Sequence, residues 1–72
     1  MFKIFRKLGG EEAALEIIAE KTGKRPAAFL VRKWRSIGRI PAIKAVILLD
    51  ECRRRRISAT YEDDCEARGA AQ

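Results

Sequence analysis

Residues 29–41 read FLVRKWRSIGRIP, a basic stretch with a tryptophan at its centre, closed by a glycine and a proline. At about 100° per residue, a helix through this stretch gathers Ala27, Leu30, Val31, Trp34 and Ile37 on one face. Arg25, Ala28, Phe29, Arg32 and Ser36 fall on the opposite face, flanked by Lys33 and Arg35. Trp34 therefore belongs to a core, and the cations around it are what the periodicity leaves outside. Pro26 suits a first helical position, because its missing N–H would lack a partner there anyway. Gly38 can take the left-handed conformation that ends a helix, and Arg39-Ile40-Pro41 leads into the next one. The spacing predicts a helix over about 26–37, apolar inside and cationic outside.

Toward the N-terminus, Gly23 stops a preceding helix over 11–22. Glu11 and Glu12 sit in its first turn, where they complement the helix dipole. Its inner side is Ala14, Leu15, Ile18 and Ala19, and Glu12, Glu16 and Glu20 recur every four residues on the other, a solvated face. Gly9-Gly10 separates it from a short helix over 2–8 with Phe2, Ile4 or Phe5, and Leu8 apolar. Toward the C-terminus, a helix from Pro41 to about Arg55 sets Ala42, Ala45, Val46, Leu49 and Cys52 on one face. Ile43 and Ile47 lie elsewhere on its circumference, to be covered by the N-terminal helix or by a second copy of the chain. Arg53–Arg56 spread over about 300° of the same helix and cannot form one face. They touch phosphates, stay solvated or pair with the acidic residues that follow; the sequence leaves these open.

Charge is unevenly distributed. The 72 residues carry sixteen Lys and Arg against ten Asp and Glu, a net +6. Residues 1–57 hold fifteen of the basic and six of the acidic residues, while 58–72 hold one and four. Between Glu20 and Asp50 eight cations occur with no acidic residue. Such a field attracts polyanions, nucleic acid before acidic protein or membrane. The expected organisation is a basic domain over 1–57 and an acidic tail over 58–72, in which Ile57 to Thr60 is extended and pairs with a dimer mate and the remainder is a marginal helix or disordered. Cys52 reads as a small core residue and Cys65 as exposed in the tail.

Several classes fall away. Two cysteines make no disulfide framework, and thirteen residues apart with no histidine they match no zinc pattern. The best apolar run, Ala45–Leu49, is far short of the roughly 20 residues that span a bilayer, and MFKIFRKLGG has no signal-peptide core. No nucleophile–base pair and no glycine-rich phosphate loop is present, so no enzyme and no cofactor is expected. The expected setting is cytoplasmic, close to the nucleoid.

A helix, a glycine turn and a second helix with an arginine-rich outer face make a helix-turn-helix layout. The chain from Leu8 to about Asp63 resembles the small Cro-like helix-turn-helix regulators of phages and prophages. The resemblance is carried by Gly9, Gly10, Gly23, Val31, Trp34, Gly38, Arg39, Ile40 and Pro41, above all by V-x-x-W-x-x-x-G-R-I-P. It implies a sequence-specific regulator of transcription, a repressor, acting on double-stranded DNA as a homodimer. In this sequence Gly23 lies eight residues before Val31, where the resemblance implies about six, so the turn is opened or Phe29 takes the valine's inward place.

Together these readings predict an all-α fold, a compact four-helix helix-turn-helix domain with the acidic tail appended. Base-edge contacts are assigned to Arg25, Ala28, Phe29, Arg32 and Ser36, with Arg32 placed to make bidentate hydrogen bonds to a guanine. Phosphate contacts are assigned to Lys24, Lys33, Arg35 and Arg39. The rival reading is an antitoxin or small phage protein whose basic face, or acidic tail, binds another protein.

Overall fold

Phe2, Ile4, Phe5 and Leu8 are all buried, although the helix that carries them is barely more than one turn long. A five-residue helix has almost no stability alone, so tertiary packing holds it. The structure, a computed structural model, describes residues 2–66. Its elements are α1 (Lys3–Lys7), α2 (Glu11–Thr22), α3 (Ala28–Ile37), α4 (Ala42–Arg54) and α5 (Tyr61–Asp64). The fold is all-α, as the periodicities predict. No helix among the described residues is long and apolar enough to cross a membrane.

The core forms where α1, α2 and α4 meet, with α2 and α4 in the most extensive contact. α1 inserts its aromatic pair, Phe2 and Phe5, edge to face at 5.4 Å between ring centres. α2 contributes Ala14, Leu15, Ile17 and Ile18, and α4 contributes Ala45, Leu48 and Cys52. Gly10 lets the chain reverse between α1 and α2: its φ is 116°, and its N–H reaches back to the Phe5 carbonyl at 2.7 Å. A residue with a Cβ would be strained there.

The inward face of α4 is rotated from the one its sequence suggests. Ala42 and Val46 are exposed and Leu49 is half-buried, whereas Leu48 is fully buried. Glu51 is buried beside it, its carboxylate accepting from Arg54 and Arg55 at 2.6 and 2.7 Å. A helix apolar around most of its circumference carries no clear periodicity, so the position of α1 and α2 decides which side turns inward. The arginine run is spent locally rather than on the acidic segment. Arg53 pairs with Asp50, and Arg54 and Arg55 with Glu51. Arg56 takes a left-handed φ of 61° and closes α4, its N–H on the Arg53 carbonyl and that of Ile57 on the Cys52 carbonyl. Those two bonds are the Schellman pattern, usually built on glycine.

The segment 58–66 packs onto the domain instead of standing apart as a tail, and the marginal helix expected in it forms as α5; residues 67–72 of the expected tail lie outside the described residues. Thr60 caps α5 by accepting from the Asp63 N–H at 3.2 Å, and Asp64 accepts from the Thr60 N–H at 2.8 Å. The Tyr61 hydroxyl donates to the Ile40 carbonyl, and the Ile40 N–H donates to the Cys65 carbonyl. Arg39 and Glu66 form an antiparallel bridge beside them. Cys65, expected in solvent, is completely buried. Burial, with Asp64 and Cys52 nearby, pushes its thiol up to about 12. The Ser58 carbonyl finds its partner within the chain, accepting from Lys7 Nζ at 2.6 Å. The same ammonium sits 2.8 Å from buried Asp64. Burial pushes that carboxyl upward, but Lys7 and the Thr60 N–H outweigh it and hold it below the usual carboxylate range.

Candidate nucleic-acid interface

α2 ends when Thr22 turns its hydroxyl onto the Ile18 carbonyl at 2.8 Å and Gly23 follows in a left-handed conformation. The connection to α3 runs through Gly23–Ala27, so the turn is open. Pro26 is buried and precedes the helix instead of starting it, and Ala27 is the N-cap, in an extended conformation. α3 therefore begins two residues later than the sequence predicts. Phe29 does not replace Val31: Val31 is buried and Phe29 is 62% exposed, which keeps the helix in its original register.

Only Val31 and Trp34 of α3 are fully inside, with Leu30 half-buried. Ala27 is exposed outside the helix, and Ile37 is 52% exposed. Val31 and Trp34 set the inward direction midway between them. At about 100° per residue Ile37 then stands about 90° from it, at the edge of the covered arc. Phe29 and Ser36 point almost directly outward, with Arg32 and Lys33 about 50° to either side. Phe29, Arg32, Lys33 and Ser36 are all exposed and share this outer side, while exposed Ala28 stands about 90° from the inward direction, at its α2 edge. Arg32 and Lys33 have no ion-pair partner among the described residues.

The remaining candidates divide. Lys24 is exposed in the turn, and Arg39 is exposed in the α3–α4 link, where its backbone pairs with Glu66. Arg25 does not project freely: its guanidinium forks back onto α2, Nη2 meeting Glu12 and Nη1 donating to Glu16 Oε2 at 2.6 Å. Arg35 lies on the α2 side of α3, 3.4 Å from Glu11. The structure thus brings Phe29, Arg32, Lys33 and Ser36 onto one surface, sets Ala28 at its α2 edge and ties Arg25 and Arg35 to α2. Those carboxylates are what the sequence reading missed. The four-residue spacing of Glu12 and Glu16 matches one side of a helix, but only the turn places Arg25 over it.

A shallow groove of about 190 Å³ between α2 and α3 is lined by Glu11, Glu12, Arg25, Ala28, Arg32 and Arg35, among others. On the other side of α3 an apolar cleft of about 360 Å³ lies between Pro26, Ala27, Phe29, Leu30 and Lys44. Apolar side chains also stand exposed on α4, Ile43 at 75% and Val46 at 55%. Searches against family models, curated proteins and solved structures found no match to this chain.

Proposed function

We propose that this chain is a sequence-specific double-stranded DNA-binding regulator of transcription, a repressor, that lays α3 in the major groove. One observation carries the reading: the outer side of α3 is a continuous exposed surface whose two cations, Arg32 and Lys33, have no ion-pair partner among the described residues. B-DNA's major groove is about 12 Å wide and admits one α-helix, so such a face meets base edges and flanking phosphates together. In this arrangement Arg32 reads a guanine, Ser36 donates or accepts at a neighbouring base, and Ala28 and Phe29 meet thymine methyls. Lys24, Lys33 and Arg39 hold phosphates, which position the helix without reading sequence. The exposed Ile43 and Val46 on α4 favour a homodimer, because a pair of recognition helices then reads two half-sites about one helical turn apart.

A second reading, a partner protein with acidic and apolar side chains, is favoured by the cleft beside Phe29 and its rim of Lys24 and Lys44. Fluorescence anisotropy separates the two. At about 150 mM salt, the regulator reading expects binding to DNA upstream of the chain's own gene, or to a site selected from a random library, at least a hundredfold tighter than to a shuffled duplex. Equal, weak and steeply salt-dependent binding to every duplex would refute it and leave the protein-binding reading.

A further inference from the structure

The α2 carboxylates stand where a DNA-binding surface would ordinarily carry positive or neutral groups. Glu12 and Glu16 occupy both arms of Arg25, and Glu11 holds Arg35. Glu11 and Glu12 also line the groove that contains Arg32. A phosphate approaching Arg32 along that groove meets two negative charges, and the two neighbouring arginines are already neutralised. Glu20 continues the same stripe and is exposed, but has no arginine beside it among the described residues.

We infer that Glu11, Glu12 and Glu16 are specificity determinants, which hold Arg25 and Arg35 away from phosphates and so suppress binding to arbitrary sequence. The inference rests on the DNA-binding reading above. Its physical basis is that phosphate contacts raise affinity for every sequence alike, whereas the base contacts of α3 do not. Removing two phosphate contacts therefore lowers the background more than it lowers discrimination. Like-charge repulsion between carboxylate and phosphate acts in the same direction. The pairs are exposed, so water and salt weaken them and the carboxylates act as a brake on affinity, not a lock.

The test uses the full chain, a shuffled duplex and a salt series. It compares wild type, the triple variant Glu11→Gln/Glu12→Gln/Glu16→Gln, and Glu20→Gln, with thermal melts to establish that each is folded. Each freed arginine that reaches a phosphate steepens the salt dependence by about 0.9, so the triple variant should gain a slope of about 2 and bind the shuffled duplex about ten- to thirtyfold tighter at 150 mM salt. Glu20→Gln removes a charge without freeing an arginine and should leave the slope unchanged. Should the triple variant match Glu20→Gln in slope and affinity while wild type still selects one sequence, the inference fails and the DNA-binding reading stands. Wild type and variants all failing to bind any duplex would overturn both.

Discussion

Lys7→Met isolates the contact that ties the end of the described chain to its beginning. Methionine keeps the length and apolar body of the side chain and deletes the ammonium that meets Asp64 and the Ser58 carbonyl. An exposed ion pair would be worth about 0–1 kcal/mol, and breaking a fully buried one costs about 3–5 kcal/mol. Here the carboxylate is buried while the lysine side chain is 37% exposed, and Asp64 keeps its hydrogen bond from the Thr60 N–H. The expected loss is intermediate, about 2–3 kcal/mol at neutral pH, or a fall in Tm of about 8–24 °C for a domain of this size. The pH dependence is more diagnostic. In the wild type Asp64 titrates below its unfolded value, so its stabilisation is complete above about pH 4 and is lost as pH falls through its folded pKa. In the variant only the Thr60 N–H and Lys3 still oppose burial, so the Asp64 pKa moves up from its wild-type position and that chain loses less stability as pH falls. Urea melts should therefore show a gap that is widest at pH 7 and narrow at pH 3. Maleimide labelling mapped by mass should also find Cys65 reacting before Cys52 in the variant, because α5 loosens before the core opens. A gap equal at both pH values, or both thiols labelling together, would refute the assigned role of the pair.

Other substitutions test other parts of the molecule. Arg32→Ala should weaken binding to the preferred site by about 1–3 kcal/mol and relax discrimination at one base position, whereas Lys33→Ala should weaken all sequences alike and flatten the salt slope by about one. Trp34→Ala should cost about 3–5 kcal/mol, comparable with the whole stability of so small a domain; a variant that melts like wild type and loses only DNA would place Trp34 in recognition instead. Arg56→Gly relieves a left-handed residue, worth about 1–2 kcal/mol, against a chain-entropy loss of about 0.5–1 kcal/mol. A small gain in stability is expected, read as a higher denaturant midpoint at unchanged slope.

The breaks between the first four helices were legible in the sequence because their signals are local, although α3 starts two residues after Pro26. Glycines at 10, 23 and 38 take positive φ, and Pro41 directly precedes α4, so each interruption reflects a backbone property of one residue. The outer side of α3 was legible for a related reason: ten residues with Val31 and Trp34 at helical spacing leave Arg32, Lys33 and Ser36 facing out whatever the helix packs against. Sequence alone thus determined an all-α chain with a cationic helix presented to solvent.

What tertiary structure decided lies between segments distant in the chain. Which side of α4 turns inward depends on where α1 and α2 sit, because a helix apolar on most sides has no preferred one. The segment 58–66 reads as a polar, acidic tail, yet the ion pair of Lys7 with buried Asp64, the cap at Thr60 and the bonds to Ile40 hold it against the core. Arg25 and Arg35 look as available as Arg32 in the linear sequence. Only the open turn, which swings Arg25 over Glu12 and Glu16, and the packing that sets Arg35 beside Glu11 make them different. Periodicity reports the environment of a residue within its own helix; the partner a charge finds across a turn depends on three-dimensional distance, which no single segment encodes.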